Sequence, residues 1–364
     1  MSSCNGRVRL VTASAALGLL ILASTSLARH AAAKPVSLAT VPADAVWMMH
    51  LDMDAARAST VVRRMCERAM ALHPQAEAMM TMAIGMTGMD PRKDLHDVTV
   101  YGRDTDKRNA VMVVRGKANR ALLEKMVEKA RDHRTMEHGG RTLHSWTQGG
   151  RRGDTGGTVV GAFQADDRMV FARSSDAVRM ALDVLDGSKA AYGKGPLAGG
   201  VKSGSILVAR AAAVDPQTKC PVLREGRGFR VAAGEFEGRS FYRAKLDMKS
   251  AETADLAEDV VEGFEAVVRL RWGGDDDAMK LLSGLRTETD GETCMISWDA
   301  GADDMWEAMD RAVTQWERKH RRSGVKGKAC PACGEDGCAG CGLCPFGGDN
   351  DQMREGRGLE EEEF

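Results

Sequence analysis

The chain has 364 residues, more than a single hydrophobic core usually holds, so two packed units are expected. Hydrophobic residues make up 43% and charged residues 28%, which excludes wholesale disorder, collagen, a coiled coil and a multispan membrane protein. With 51 Lys and Arg against 52 Asp and Glu, the net charge of −1 gives no general attraction for nucleic acid or an anionic membrane.

Arg7 and Arg9 precede an apolar run from Leu10 to Leu27, and Ala31-Ala32-Ala33 closes it, which is the order of zones in a secretory signal. Cleavage after Ala33 is expected, with Ala28 as the second choice. The alternative is an uncleaved amino-terminal anchor, since the run lies at the lower edge of a bilayer span. Loss of residues 1–33 removes three arginines and no acid, leaving a net charge of −4. Export to the periplasm or the exterior places the cysteines in a non-reducing compartment.

Ala45 to Met53 alternates, with Trp47, Met49, Leu51 and Met53 on one face and Val46, Met48, His50 and Asp52 on the other. This predicts a strand whose first face is buried and whose His50/Asp52 face is solvated. Asp54 to Leu72 has a helical stripe that Pro74 stops, and Met79, Met82, Met86 and Met89 recur at helical spacing. A hairpin is expected from Val98–Tyr101 and Ala110–Val114, then a helix capped by Asn119. Hairpins turning at Gly139-Gly140 and Asp166-Asp167 follow, and then a helix from Ser175 to Gly187.

Gly193 to Gly204 reads as a linker. Beyond it, Ile206 restarts strand structure, and a hairpin at Glu237-Gly238 places Phe241, Arg243, Lys245 and Asp247 on one face of its second strand. Ser250 caps a long helix, Asp290-Gly291 turns another hairpin, and Asp303 caps a last helix, with Trp298 and Trp316 on apolar faces. The expected fold is therefore α+β, in two related units at 38–190 and 204–320. Each is an antiparallel sheet with helices on one face, between a signal peptide at 1–33 and a flexible Cys-rich, acidic tail at 321–364.

Val41-Pro42-Ala43-Asp44 before a strand, Asp90-Pro91-Arg92-Lys93-Asp94, and the strand Val98-Thr99-Val100-Tyr101-Gly102 resemble a class of exported bacterial proteins that open with a Leu/Val-Pro-Ala-Asp strand. The resemblance covers about a quarter of the chain. It implies an α+β fold and no catalytic residue.

Among the chemical motifs, Gly195 to Ser203 approaches a phosphate-binding loop, but Val201 separates Gly200 from Lys202 and a strand follows, so the segment reads as a linker. The Met79/82/86/89 stripe offers soft sulfur for Cu(I), yet it stands where a helix packs its core, and core packing is expected. His50 and Asp52 share a strand face as an acid/base pair would, against the reading of a solvated face. Cys66 and Cys294 are expected to be core thiols and Cys220 a loop thiol.

The most specific segment is Cys330-Pro-Ala-Cys333-Gly followed by Cys338-Ala-Gly-Cys341-Gly and Cys344-Pro345. Two C-x-x-C-G turns resemble zinc knuckles, so Cys330, Cys333, Cys338 and Cys341 are the candidate zinc ligands. The competing reading is an oxidised or disordered tail, because Gly, Asp and Glu surround the cysteines. The basic stretch Arg318 to Arg322 reads as a solvated tether.

Together these features predict an exported, non-enzymatic binding or structural module of the cell envelope, with an envelope protein as partner, no nucleic acid and no integral membrane domain once the signal is removed. Two alternatives stay open: zinc binding or thiol redox chemistry through the tail, and an enzyme whose site carries no familiar signature.

Overall fold

A computed structural model describes residues 37–72, 75–148 and 157–322, so the segment expected to be a signal, Pro74 and the cysteine tail lie outside the described residues. In chain order the elements are β1 (Trp47–Asp52), α1 (Met53–Ala58), α2 (Thr60–Leu72), α3 (Gln75–Thr87), β2 (Leu95–Gly102), β3 (Val111–Gly116), α4 (Arg120–Glu128) and β4 (Arg134–His138). Then come β5 (Arg141–Thr147), β6 (Thr158–Ala165), β7 (Arg168–Ala172), α5 (Ser175–Leu185), β8 (Ser205–Ala211), α6 (Pro221–Arg224), β9 (Gly226–Phe236) and β10 (Arg239–Met248). Helices α7 (Ala251–Trp272) and α8 (Asp276–Leu282) precede β11 (Leu285–Asp290), β12 (Thr293–Gly301) and α9 (Ala302–Arg322).

The α+β class holds, but the strands of both halves join one antiparallel sheet in the order β11-β12-β10-β9-β8-β1-β2-β3-β7-β6-β5-β4. The seam is the β1–β8 pair, in register at Met48↔Arg210 and His50↔Val208. Outward from it, each side runs through three consecutive strands, then its last strand, then the strand before that, and the β1 side alone continues with β5 and β4.

Because neighbouring residues of a strand point to opposite faces, the register separates two cores in the first half. On one face Met48, Tyr101, Val113 and Val170 pack with Val178, Ala181 and Leu182 of α5. On the other, Val114 and Met169 pack with Leu123 of α4. Helices thus cover both faces here, where one covered face is expected from the sequence. In the second half, α7 lays Ala254 and Ala257 on Met248 and Cys294, on the same side of the sheet as α4.

Three local expectations change. His50 and Asp52 are buried while Met49 on the opposite face is 37% exposed, because β1 is a central strand and its Met48 face meets α5. The helix expected over Asp54 to Leu72 breaks at Ser59. There the Glu235 carboxylate of β9 accepts from the Ser59 hydroxyl (2.7 Å) and from the amides of Thr60 (2.9 Å) and Val61 (3.1 Å), satisfying the free amino-terminal N–H groups of α2. Finally, Met79, Met82 and Met86 face solvent, and α3 buries Ala76 and Met80 instead, the latter against Cys66.

Other signals hold. Asn119 and Ser174 cap α4 and α5 through their side chains, and Ser250 forms a reciprocal capping box with Thr253 at α7. The turn between β9 and β10 uses Glu237 and Gly238, both at positive φ, the conformation a two-residue hairpin loop demands. The basic stretch Arg318 to Arg322 continues α9 rather than forming a tether. Trp298 is half-buried, its Nε1–H donating to the Leu281 carbonyl at 2.8 Å, and the Trp316 side chain lies outside the described residues.

Candidate functional site: a cationic trough on the second half of the sheet

The sheet face that α5 covers in the first half carries a row of cations in the second. Arg210 of β8 is the register partner of Arg230 on β9, and Arg230 is the partner of Lys245 on β10. Adjacent strands lie ~4.8 Å apart, and like charges directly opposite one another are destabilising. Arg243, two residues from Lys245, shares the face. With Val208, Ala232 and Met295 these groups line a trough of about 450 Å³, walled on one side by Gly199, Gly200 and Lys202, and Glu288 of β11 also reaches the lining.

That wall is the Gly-rich segment expected to be a linker, and it is pinned in place. Arg210, 5% exposed, donates from Nη1 to the Leu197 carbonyl (2.6 Å) and from Nη2 to those of Gly199 (3.0 Å) and Gly200 (3.1 Å). Gly199 sits at φ +129, a conformation open to glycine and costly for other residues. Leu197 is fully buried, and its N–H donates to the Tyr192 hydroxyl at 3.2 Å. Burial, with the nearby Arg230 charge adding to it, pushes the Arg210 pKa down. A guanidinium nevertheless stays charged at neutral pH, so the trough keeps that charge.

The remaining cations are partly neutralised. Arg243 and Lys202 both engage Asp299, the latter at 3.3 Å, and Lys202 Nζ sits 4.2 Å from the centre of the Phe241 ring. Burial alone would raise the Asp299 pKa, but the bonds from Arg243 and Lys202 outweigh it and hold the carboxyl below its ordinary value. Arg230 reaches Asp247 at 3.3 Å, while its buried Nε has no hydrogen-bond partner. Among the described residues, no carboxylate forms an ion pair with Lys245 or Arg210. The site thus offers fixed positive charge above a partly apolar floor, which suits an anionic group attached to an apolar body.

The sequence-level candidates lie elsewhere. His50 Nδ1 and the Thr99 hydroxyl are 2.9 Å apart, and Asp52 caps α1 by accepting from the Ala55 amide at 2.8 Å. Burial pushes the His50 pKa down against the pull of Asp97 and Asp52, and burial pushes that of Asp52 up. The pair is thus a neutral-leaning imidazole beside a helix cap. Cys66 and Cys294 are buried thiols, with burial pushing Cys66 up to about 11, and Cys220 is exposed. Cys330, Cys333, Cys338 and Cys341 lie outside the described residues. Among those described, no cluster of three or more His, Cys, Asp or Glu could hold a metal ion.

Sequence reasoning placed Arg243 and Lys245 on one strand face but missed Arg210 and Arg230. The signal that joins them is pairing register, which alternation within one strand does not supply.

No family model and no curated protein matches the chain. Solved structures of TP0453 are distantly similar. Crystal form III matches at 9% identity with a TM-score of 0.43, and crystal form I at 10% with a TM-score of 0.41. Each alignment covers 76% of this chain and 97% of the other.

Proposed function

We propose that the protein is an exported, non-enzymatic binding module of the cell envelope, and that its trough takes a small organic anion with an apolar part. The observation that carries this reading is the row Arg210, Arg230 and Lys245 on three adjacent strands, a like-charge arrangement that an incoming anion relieves. Its chemistry is that of binding: charge and an apolar floor. Export rests on the ordered zones of residues 1–33, and native protein whose amino terminus is Met1 would end that part of the proposal. No helix among the described residues is long and apolar enough to cross a membrane. The matching order of the five strands nearest the seam on each side supports reading the halves as an internal duplication, which a structure-based alignment of separate halves no better than chance would break.

The test compares phenyl phosphate with phenol and with inorganic phosphate as stabilisers of the folded chain. Phenyl phosphate should raise the melting temperature most, and added salt should weaken its effect. Lys245→Met should lose most of that gain while the free protein melts at the same temperature or higher, since about 0.2–1 kcal/mol of like-charge repulsion is removed. An equal phenyl phosphate shift in parent and variant would remove the trough as the site.

The paired C-x-x-C-G turns support a second reading, a zinc site of Cys330, Cys333, Cys338 and Cys341. Metal analysis of the reduced chain should then show zinc retained in Cys344→Ser and lost in Cys333→Ser. Equal content in the two variants, or none in the parent, would leave an oxidised or metal-free tail.

A further inference from the structure

Helix α7 has two apolar faces and the sheet uses one of them. Ala254 and Ala257 are buried against the sheet, with Val261 and Val268 half-buried on the same side. Roughly a third of a turn away, Leu256, Val260, Phe264, Val267 and Leu270 are each more than half exposed, Leu270 at 89%. Thr253, Leu256, Val260, Gly263, Val267 and Leu270 follow one another at alternating intervals of three and four, the seam spacing of paired helices. Gly263 stands mid-seam, and a Cβ built there meets nothing within 4 Å, so a second helix axis can approach closely.

From this placement we infer that α7 is a self-association surface, docking on α7 of a second copy of the chain with the two helices antiparallel. Charge selects both the occupant and the direction. The helix carries six carboxylates between Glu252 and Glu265, and its only cations, Arg269 and Arg271, are in the last turn. An antiparallel pair sets the acidic half of each helix beside the basic end of the other, whereas a parallel pair stacks acid on acid. The same carboxylates repel an anionic bilayer or an acidic partner. With the two-fold axis near Gly263, Leu256 meets the partner copy's Leu270, and Val260 meets its Val267, an isologous contact that closes at two copies.

Sedimentation of the full chain across concentration tests this inference. The parent should pass from monomer to dimer on the order of tens of micromolar. Val260→Glu and Phe264→Glu, both at exposed positions, should keep the parent's circular dichroism and raise the dimer dissociation constant roughly tenfold or more, because each buries a carboxylate twice. Arg269→Glu with Arg271→Glu should also weaken the dimer in an antiparallel pair and leave a parallel one unchanged. A parent that stays monomeric at about 100 μM, or a dimer indifferent to Val260→Glu, overturns the inference. So does a monomeric parent that floats with phosphatidylcholine vesicles and ceases to do so as Phe264→Glu, which makes a bilayer the occupant. A dimer sensitive to Val260→Glu but not to the arginine reversal overturns the antiparallel arrangement.

Discussion

The two halves of the sheet, seven strands and five, treat the same face in opposite ways. Between β1 and β7 that face carries Met48, Tyr101, Val113 and Val170, which α5 buries. Between β8 and β12 it carries Arg210, which the segment at Leu197 covers, and Arg230, Arg243 and Lys245, which stand outside the core clusters of the described residues. A sheet buried on both faces contributes stability. One that leaves a face polar and self-repelling gives up some of that stability and gains a surface able to bind.

The sharpest way to break this contrast is to truncate one side chain beneath α5. Leu182→Ala removes a fully buried side chain and should lower the unfolding free energy by about 2–5 kcal/mol in urea titrations. Lys245→Met, on the same face of the other half, should show no loss at all. Comparable losses at the two positions would mean that both faces are structural.

A smaller effect is expected at the edge of the trough, where the polar face does hold structure. Arg210→Met would leave the Leu197, Gly199 and Gly200 carbonyls without their donor. The expected cost is about 2–3 kcal/mol, with faster proteolysis between Gly193 and Gly204. Parent-like stability with an intact segment would show that the loop holds itself.

The smallest effect is at the seam. Burial, acting against Asp97 and Asp52, keeps the folded pKa of His50 below its ordinary value. The unfolded chain then binds that proton more readily, so the contribution of neutral His50 is present above about pH 6.5 and is lost as the pH falls below it. Urea midpoints at about pH 7.5 and about pH 5.5 should therefore differ less in His50→Gln than in the parent. Identical differences would show that the imidazole titrates as it does in water.

Much of the fold was legible because its signals are local. Asn119, Ser250, Asp290-Gly291 and Glu237-Gly238 act through their own backbone or through residues three positions away. What stayed hidden depends on distant partners. The polarity of β1 follows from strands β2 and β8 on either side and from α5 above Met48, none of which alternation within Ala45 to Met53 reports. The exposed methionines of α3 read as core because apolar spacing shows which residues share a face and not whether that face is covered. For the candidate site, the residues of β10 were visible as a set. The row across β8, β9 and β10 became visible only when register joined three separate segments.

The Glu235 carboxylate that closes the amino terminus of α2 has a consequence for the order in which the protein can be assembled. Ser59, Thr60 and Val61 leave the ribosome some 175 residues ahead of it. Strand β1 likewise waits for β8 to cover its second edge. A nascent chain halted before β8 would thus present an unpaired β1 edge and an uncapped helix side by side, a sticky species of the kind chaperones hold. The contacts that complete both lie far apart along the chain, so loop closure rather than local structure should set the folding rate. Cutting the gene at the Gly-rich segment would leave the amino-terminal fragment permanently in that waiting state.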